Sequence, residues 1–439
     1  MIGFSLAPLT QTSGIGCAYH DPEGVKFFPY DQSSIKIWFD NIQSSGETVF
    51  VNDSHQIYRA LSFLGKEYLR SLKLFDNKVF FNVCWNRLNI NIHELGLKFH
   101  KIDAEKELER LRKIWFIQGE HNWARIPIQL IEVYLEKDAA TALRVGEPLA
   151  TKIKLPIESS LYIDFLRDFL VSISFLEEIG VIEKKTHHKI IPHYEYDHVV
   201  TGRIVNTEPF CFQTVSFEKF VEQYESRFGE DGMLVVADWS NADFRVAAAL
   251  AQEKLEGEKL DPYTLIGKLI LQKSEITDEE RNFLKTTILS VMYGYEGQDH
   301  AEIFFKAYPK ISEFKKWIIN EARTKKKLTT RYGKTRYFEP RDNFETKAFN
   351  TINQMTVADL CKKAVIEMQD CFTEKNLKST PIGYICYDSF GFDICLSEKE
   401  QAFAAIREAL IDRTIPPSFR QFCEWNVKIK DATGNSAIL

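Results

Sequence analysis

The chain has 439 residues, 44% of them apolar and 27% charged, with a net charge of −6. That length holds about two to four domains with their own cores, and the composition excludes a disordered or fibrous chain; an acidic body leaves a nucleic-acid ligand only a local basic groove. Eight cysteines without a CxxC pair or zinc-type spacing read as reduced thiols of a cytoplasmic protein, and neither a signal peptide nor a membrane span is expected.

In chain order, Ile2-Gly-Phe-Ser-Leu and Thr48-Val-Phe-Val read as strands and residues 55–64 as a helix. Lys78-Val-Phe-Phe is a further apolar run, so residues 1–103 read as a small α/β domain. From Ala104 the periodicity turns helical, over 105–115 and 127–135. A polar, irregular piece spans 145–156 and a long helix follows over 161–176, so residues 104–195 read as a protruding helical arm.

Residues 233–237 are a continuous apolar run, hence a strand buried on both faces, and Asp238 sits where it ends. Ser240 and Asp243 have capping-box spacing, so a helix begins at once. A carboxylate at a buried strand tip suits a hard metal ion, or is a plain turn residue. Thr277 and Glu280 form a second capping box, and no Pro or Gly interrupts the segment before Gly294. One helix of about four turns follows. Arg281, Lys285, Leu289 and Tyr293 step by four along one broad face. Two cations near a helix N-terminus suit a polyphosphate, or are a solvated surface. Tyr384-Ile-Cys-Tyr-Asp388-Ser-Phe-Gly-Phe reads as a hairpin with Asp388 at its bend. Between Lys310 and Arg336 ten basic residues stand against two acidic ones, a phosphate-binding run or a solvated face.

The order of these segments resembles the three polymerase motifs of the family A DNA polymerases, the bacterial DNA polymerase I group. The first corresponds to Asp238-Trp-Ser-Asn-Ala-Asp243-Phe-Arg245, the second to Arg281, Lys285, Tyr293 and Gly294, and the third to Tyr387-Asp388-Ser389. Thr201-Gly-Arg203 with Glu208-Pro209 and Gln213, the turn over 330–336, and Asn350 with Gln354 resemble further family segments, so that the resemblance covers about 195–430.

It implies an α+β right-hand polymerase. Residues 196–439 would be the palm, with fingers inserted at about 253–345; residues 104–195 would be a thumb-like helical region, and 1–103 a vestigial 3′–5′ exonuclease-like α/β domain. The implied activity is template-directed DNA synthesis by phosphoryl transfer with two Mg²⁺ ions, without proofreading. Asp238 and Asp388 would be the metal ligands and, with Lys285, the catalytic residues. Arg281, Lys285, Tyr293, Asp243 and the main chain of Trp239 would meet the nucleotide, and Arg203, Gln213, Arg245, Asn350, Gln354 and Tyr387 the DNA. The implied partners are primer–template DNA, deoxynucleoside triphosphates and a processivity or replisome partner; the compact form suggests a phage or mobile-element replicase.

The chain departs from the family pattern at several positions. Asp243 stands for a Glu, Leu289 for an aromatic residue, Tyr387 for a His and Ser389 for a Glu. Ser389 keeps a single-subunit RNA polymerase open as a reading, and a catalytically silent DNA-binding subunit is a third. In the amino-terminal part, residues 2–7 resemble the strand that follows the first exonuclease motif, Asp-x-Glu, which would then precede Met1. Gln56 stands where a catalytic Asp is expected, and Phe99-x-x-x-Asp103 resembles the last motif, Tyr-x-x-x-Asp.

Overall fold

The structure is a computed structural model that describes residues 1–8, 14–20, 24–85, 91–115, 126–208, 211–293, 300–431 and 434–439. Pro209 and Gly294, two of the motif positions above, lie outside the described residues. The chain divides into two compact units, Met1–Ile179 and Gly180–Leu439.

In the first unit β1 (Ile2–Pro8), β2 (Gly14–His20) and β3 (Gly24–Tyr30) form an antiparallel meander. After α1 (Gln32–Ser45), β4 (Val49–Val51) pairs parallel to β1. Helices α2 (Ser54–Ala60) and α3 (Lys66–Ser71) lead to β5 (Leu74–Asp76), parallel to β4. The sheet order is β3-β2-β1-β4-β5, with β1 at its centre. Residues 78–81 belong to α4 (Asn77–Trp85), immediately after β5. Then come α5 (Ile92–Leu95), α6 (Ala104–Trp115), α7 (Ile128–Lys152) and α8 (Ile157–Ile179).

The apolar stripes of α6 and α7 decide where these helices go. Leu108 and Leu111 of one, and Ile131, Leu135 and Ala139 of the other, share a core with Ala7, Ile15 and Cys17 of the sheet. Approach is so close that a Cβ on Gly3 would lie 1.9 Å from the Ala139 carbonyl oxygen. Helices α6 and α7 thus cover the first unit's sheet and are not a separate arm. Compact units meet at 179/180, and neither 103 nor 195 is a boundary between them. Nor does the chain turn irregular at 145: α7 continues through Pro148 to Lys152, because Ala142, Leu143, Val145 and Gly146 stay buried. Apolar burial overrides the local polarity that suggested a break.

The second unit opens with β6 (Val181–Glu183), β7 (Lys189–Ile190), β8 (His193–Glu195) and β9 (Val205–Glu208). After α9 (Phe217–Gln223) and β10 (Tyr224–Glu225) comes the long strand β11 (Gly232–Trp239). Helices α10 (Ala242–Ala251), α11 (Pro262–Leu271), α12 (Asp278–Tyr293), α13 (His300–Ala307) and α14 (Pro309–Lys325) precede a ribbon, β12 (Lys327–Thr329) and β13 (Thr335–Tyr337). Then follow α15 (Phe344–Glu374), the hairpin β14 (Thr380–Cys386) and β15 (Ser389–Cys395), α16 (Lys399–Arg407), α17 (Pro417–Arg420), β16 (Val427–Asp431) and β17 (Ser436–Ile438). The main sheet has the order β14-β15-β11-β16-β17 and is antiparallel throughout. Leu234–Ala237 of β11 are buried, as their unbroken apolar run requires. Phe372 of α15 stacks on Phe392 of β15 at 5.6 Å, which seats the longest helix on the sheet.

Candidate active site

The two strand-end carboxylates come together through register. Asp238, last but one in β11, pairs across from Ser389 of β15 and from Lys428 of β16. Asp388 immediately precedes Ser389 at the hairpin bend, so the two carboxylates share one end of the sheet. The bend is strained: Tyr387 is left-handed at φ 57°, costly for a bulky side chain. Its carbonyl accepts the Cys361 thiol at 3.3 Å.

Charge is crowded at this edge. Burial first, then the neighbouring Asp238 and Asp243, push the Asp388 carboxyl up to about 8. Burial also raises Asp238, while a hydrogen bond donated by Ser389 Oγ and the charges of Lys285 and Lys428 hold it back. The capping box expected at Ser240 and Asp243 does not form. Asn241, left-handed at φ 55°, caps α10 without a side-chain bond. The Ser240 carbonyl instead accepts Arg245 Nε at 2.6 Å. Arg245 is 3% exposed; it braces the start of α10 and borders the cleft.

The facing wall is α12. Its capping box is present in full: Thr277 N donates to Glu280 at 2.9 Å and Glu280 N to Thr277 Oγ1 at 3.2 Å. Arg281, Lys285 and Leu289 line a cleft of about 670 Å³ together with Asp238, Asp243 and Asp388. Two residues that sequence reasoning missed sit beside the cations. Asp261 caps α11 and takes Arg281 in a fork, Nε to Oδ2 at 2.7 Å and Nη2 to Oδ1 at 3.1 Å. The Tyr263 ring lies 5.3 Å from the Arg281 guanidinium and 5.6 Å from Lys285 Nζ. An Asp-Pro pair opening an apolar helix was the available signal, but it announces only a cap.

At the inner end, Asn353 donates to the Tyr293 hydroxyl at 3.1 Å and to the Asp243 carbonyl at 2.9 Å. Burial and then the Asp243 charge hold the Tyr293 hydroxyl well above its ordinary range. Arg203 stands 3.8 Å from the Asp243 carboxylate and 5.4 Å from the Tyr387 ring. Asn353 is fully buried on α15 and was not singled out.

The remaining sequence candidates are placed as follows. Trp239 borders the cleft but is 1% exposed, and its ring nitrogen donates to the Leu410 carbonyl at 3.1 Å. Gln213 ties its loop to the hairpin by donating to the Ile385 carbonyl at 3.2 Å. Asn350 and Gln354 are half-buried on α15, about two turns and one turn before the cleft-lining Val357 and Ala358. The basic run over 310–336 is not one open surface. Lys315 and Lys334 are buried, and Arg323 and Lys325 pair with Glu345 and Glu321.

The first unit has a polar centre of its own. Ser5 on β1, Asn52 after β4 and His93 converge on Asp138 of α7 at 2.6, 2.8 and 2.6 Å. His93 also meets Glu105 at 3.2 Å. Burial alone would lower the imidazole, but the two carboxylates raise it to about 9. Tyr134 lies one turn before Asp138, so the Tyr-x-x-x-Asp spacing recurs here, against the central strand. Phe99 and Asp103 take no part: Phe99 is 66% exposed and Asp103 caps α6. Gln56 is exposed on α2. The strand at 2–8 is the central one of its sheet.

Known proteins supply the frame for this geometry. The model of DNA polymerase family A matches residues 171–420. The chain is 28% identical over 190 residues to DNA polymerase I of Synechocystis sp., covering 38% of this chain and 19% of that protein. With DNA polymerase I of Lactococcus lactis subsp. cremoris it shares 23% over 389 residues, 79% of this chain and 42% of that protein. It therefore spans less than half the length of these curated relatives. A solved structure, the POL domain of Pol1 from M. smegmatis in complex with DNA primer-template and dNTP, superposes with a TM-score of 0.63 at 13% identity, covering 99% of this chain and 95% of that one. The fold is accordingly the α+β right-hand polymerase fold. Among the described residues no helix is long and apolar enough to cross a membrane. Since the family model spans more than half of the chain and takes in both strand-end carboxylates and the cationic helix that faces them, the chain belongs to DNA polymerase family A.

Proposed function

We propose that this chain extends a DNA primer on a template with deoxynucleoside triphosphates. The observation that carries the reading is the cleft in which Asp238 and Asp388 face Arg281 and Lys285. The donor set fits Mg²⁺: two carboxylates whose repulsion Lys285 and Lys428 only partly offset, as suits an ion that takes one or two carboxylates and completes its shell with phosphates and water. When bound, two such ions would neutralise charge on the phosphates and lower the pKa of the attacking hydroxyl. The protein's own part is positioning. Arg281 and Lys285 hold the triphosphate, and Lys285 gives a proton to the departing pyrophosphate. Arg203 and Tyr387 meet the primer end, while Asn350, Gln354 and Gln213 steady the duplex. The insertion over about 253–345 serves as the fingers.

Tyr293 and Asp243 form the floor under the sugar. Asp243 is one methylene shorter than the Glu of the family pattern, so a ribose 2′-hydroxyl is crowded less. The first unit, in this reading, is a nuclease relic. Ser5 of β1 and Asn52 just after β4 stand beside Asp138, and a protonated histidine, where a nuclease would hold a metal ion, neutralises it. With α6 and α7 committed to that unit, long templates call for a processivity partner.

One assay tests these points: primed and unprimed template with dNTPs or NTPs in the presence of Mg²⁺. Extension with dNTPs on primed template is expected, with ribonucleotide insertion that Asp243→Glu reduces by roughly tenfold, the span of a small steric contact. Failure to extend, or extension from NTPs without a primer, would sink the reading. Degradation of single-stranded primer by the same protein would overturn the relic.

A further inference from the structure

Arg281 offers its N–H donors in a rigid fork, and two of them are already taken. Nε and Nη2 bind the two oxygens of Asp261 at 2.7 and 3.1 Å. Asp261 is itself fixed, because its carboxylate also accepts Tyr263 N at 3.2 Å, Thr264 N at 3.5 Å and Thr264 Oγ1 at 2.8 Å. Three donors thus anchor the carboxylate to the start of α11, and two more tie it to Arg281 of α12. Two residues on, the Tyr263 ring spans Arg281 and Lys285. Burial would raise the Asp261 carboxyl, but the Arg281 bonds and charge bring it below its usual range, so it is an anion at neutral pH. Two carboxylate oxygens occupy the donors that two oxygens of a phosphate would use.

We propose that Asp261 is a built-in competitor for Arg281, a positioning and specificity-determining residue that a polyphosphate must displace from the Nε–Nη2 fork. A chain of three phosphates reaches both Arg281 and Lys285 and offsets the displaced carboxylate. A shorter phosphate reaches one cation and does not. Asp261 therefore discriminates by phosphate number and weakens retention of the pyrophosphate left by the proposed reaction. The inference rests on the polymerase reading for the identity of the nucleotide, but the exchange of carboxylate for phosphate is measurable without turnover.

The probe is calorimetric titration of the full chain with inorganic tripolyphosphate and, separately, pyrophosphate. Asp261→Asn removes the charge and keeps the oxygen that caps α11. It should bind pyrophosphate roughly two- to fivefold more tightly, the range of a partly exposed ion pair, and tripolyphosphate with a smaller gain. In an Arg281→Ala background the gain should vanish. Unchanged or weaker pyrophosphate binding overturns the proposal, as does a gain that persists without Arg281. Should Asp261→Asn melt early, Asp261→Ser also caps a helix and carries the same titration. Primer extension by the unaltered chain judges the polymerase reading separately: extension without the binding gain sinks only this inference, and the binding gain without extension sinks only that reading.

Discussion

Asp388→Asn should abolish nucleotide transfer and, in the same molecule, make the second unit melt later in alkaline solution. The loss of activity is expected to be on the order of 10³-fold or more, about 4 kcal/mol of transition-state stabilisation, because the amide cannot supply an anionic oxygen at the hairpin bend. The gain in stability follows from the same crowding. The Asp388 carboxyl is raised from 3.8 to about 8 by burial, Asp238 and Asp243. Between those values the folded state keeps a proton that the unfolded state has lost, so stability falls as pH rises from about 4 to 8 and stays low above. Asparagine does not ionise and escapes that fall. The two proteins should melt most nearly together at about pH 4 and diverge as pH rises, and at pH 9 the variant should melt about 2 °C higher or more. Transfer retained within tenfold, or a variant that melts earlier at pH 9, would remove Asp388 from the role given to it.

Asp138→Ala should destabilise the first unit by about 3–5 kcal/mol, the cost of leaving one member of a buried ion pair alone. His93 and Asp138 are 13% and 14% exposed, and Ser5 and Asn52 lose the same acceptor. The pH dependence separates this from a simple cavity. His93 stands at about 9 folded against 6.5 unfolded, so its contribution is complete below 6.5 and is lost as pH rises through 9. Asp138, which burial would raise, is brought below 3.8 by the His93 bond and charge, so its contribution is present above 3.8 and lost as pH falls further. The difference in unfolding free energy between parent and variant should therefore be widest between about pH 4 and 6.5 and shrink by pH 10. A difference that stays flat from pH 6 to 10 would contradict the pairing.

Much of the second unit is legible in its sequence because the signals are local. Thr277 with Glu280, the apolar run before Asp238 and the bend at Asp388 each specify their own backbone, and they appear where their residues predict. What the sequence does not disclose is non-local. The stripes on α6 and α7 announce helices, but only packing tells that they cover β1 and β2. Asp138 is one acid among several on a helix until Ser5, Asn52 and His93 are seen to converge on it. Asp261 announces a cap, and its hold on Arg281 spans 20 residues. The Ser240–Asp243 pattern misleads for a related reason: Asn241 takes up the left-handed turn, and Arg245 claims the Ser240 carbonyl from inside. Nothing local announces that Arg245 is buried.

The cleft's two walls differ in how they are anchored. In α15, which contributes Val357, Ala358 and Cys361, 21 of 31 residues are buried; in α12, which contributes Arg281, Lys285 and Leu289, only four of 16 are. Local opening follows buried contact, so amide deuteration should reach the middle of α15 last and α12 orders of magnitude sooner. The carboxylate edge and its backing helix then act as an anvil, and the cationic helix is the part that yields.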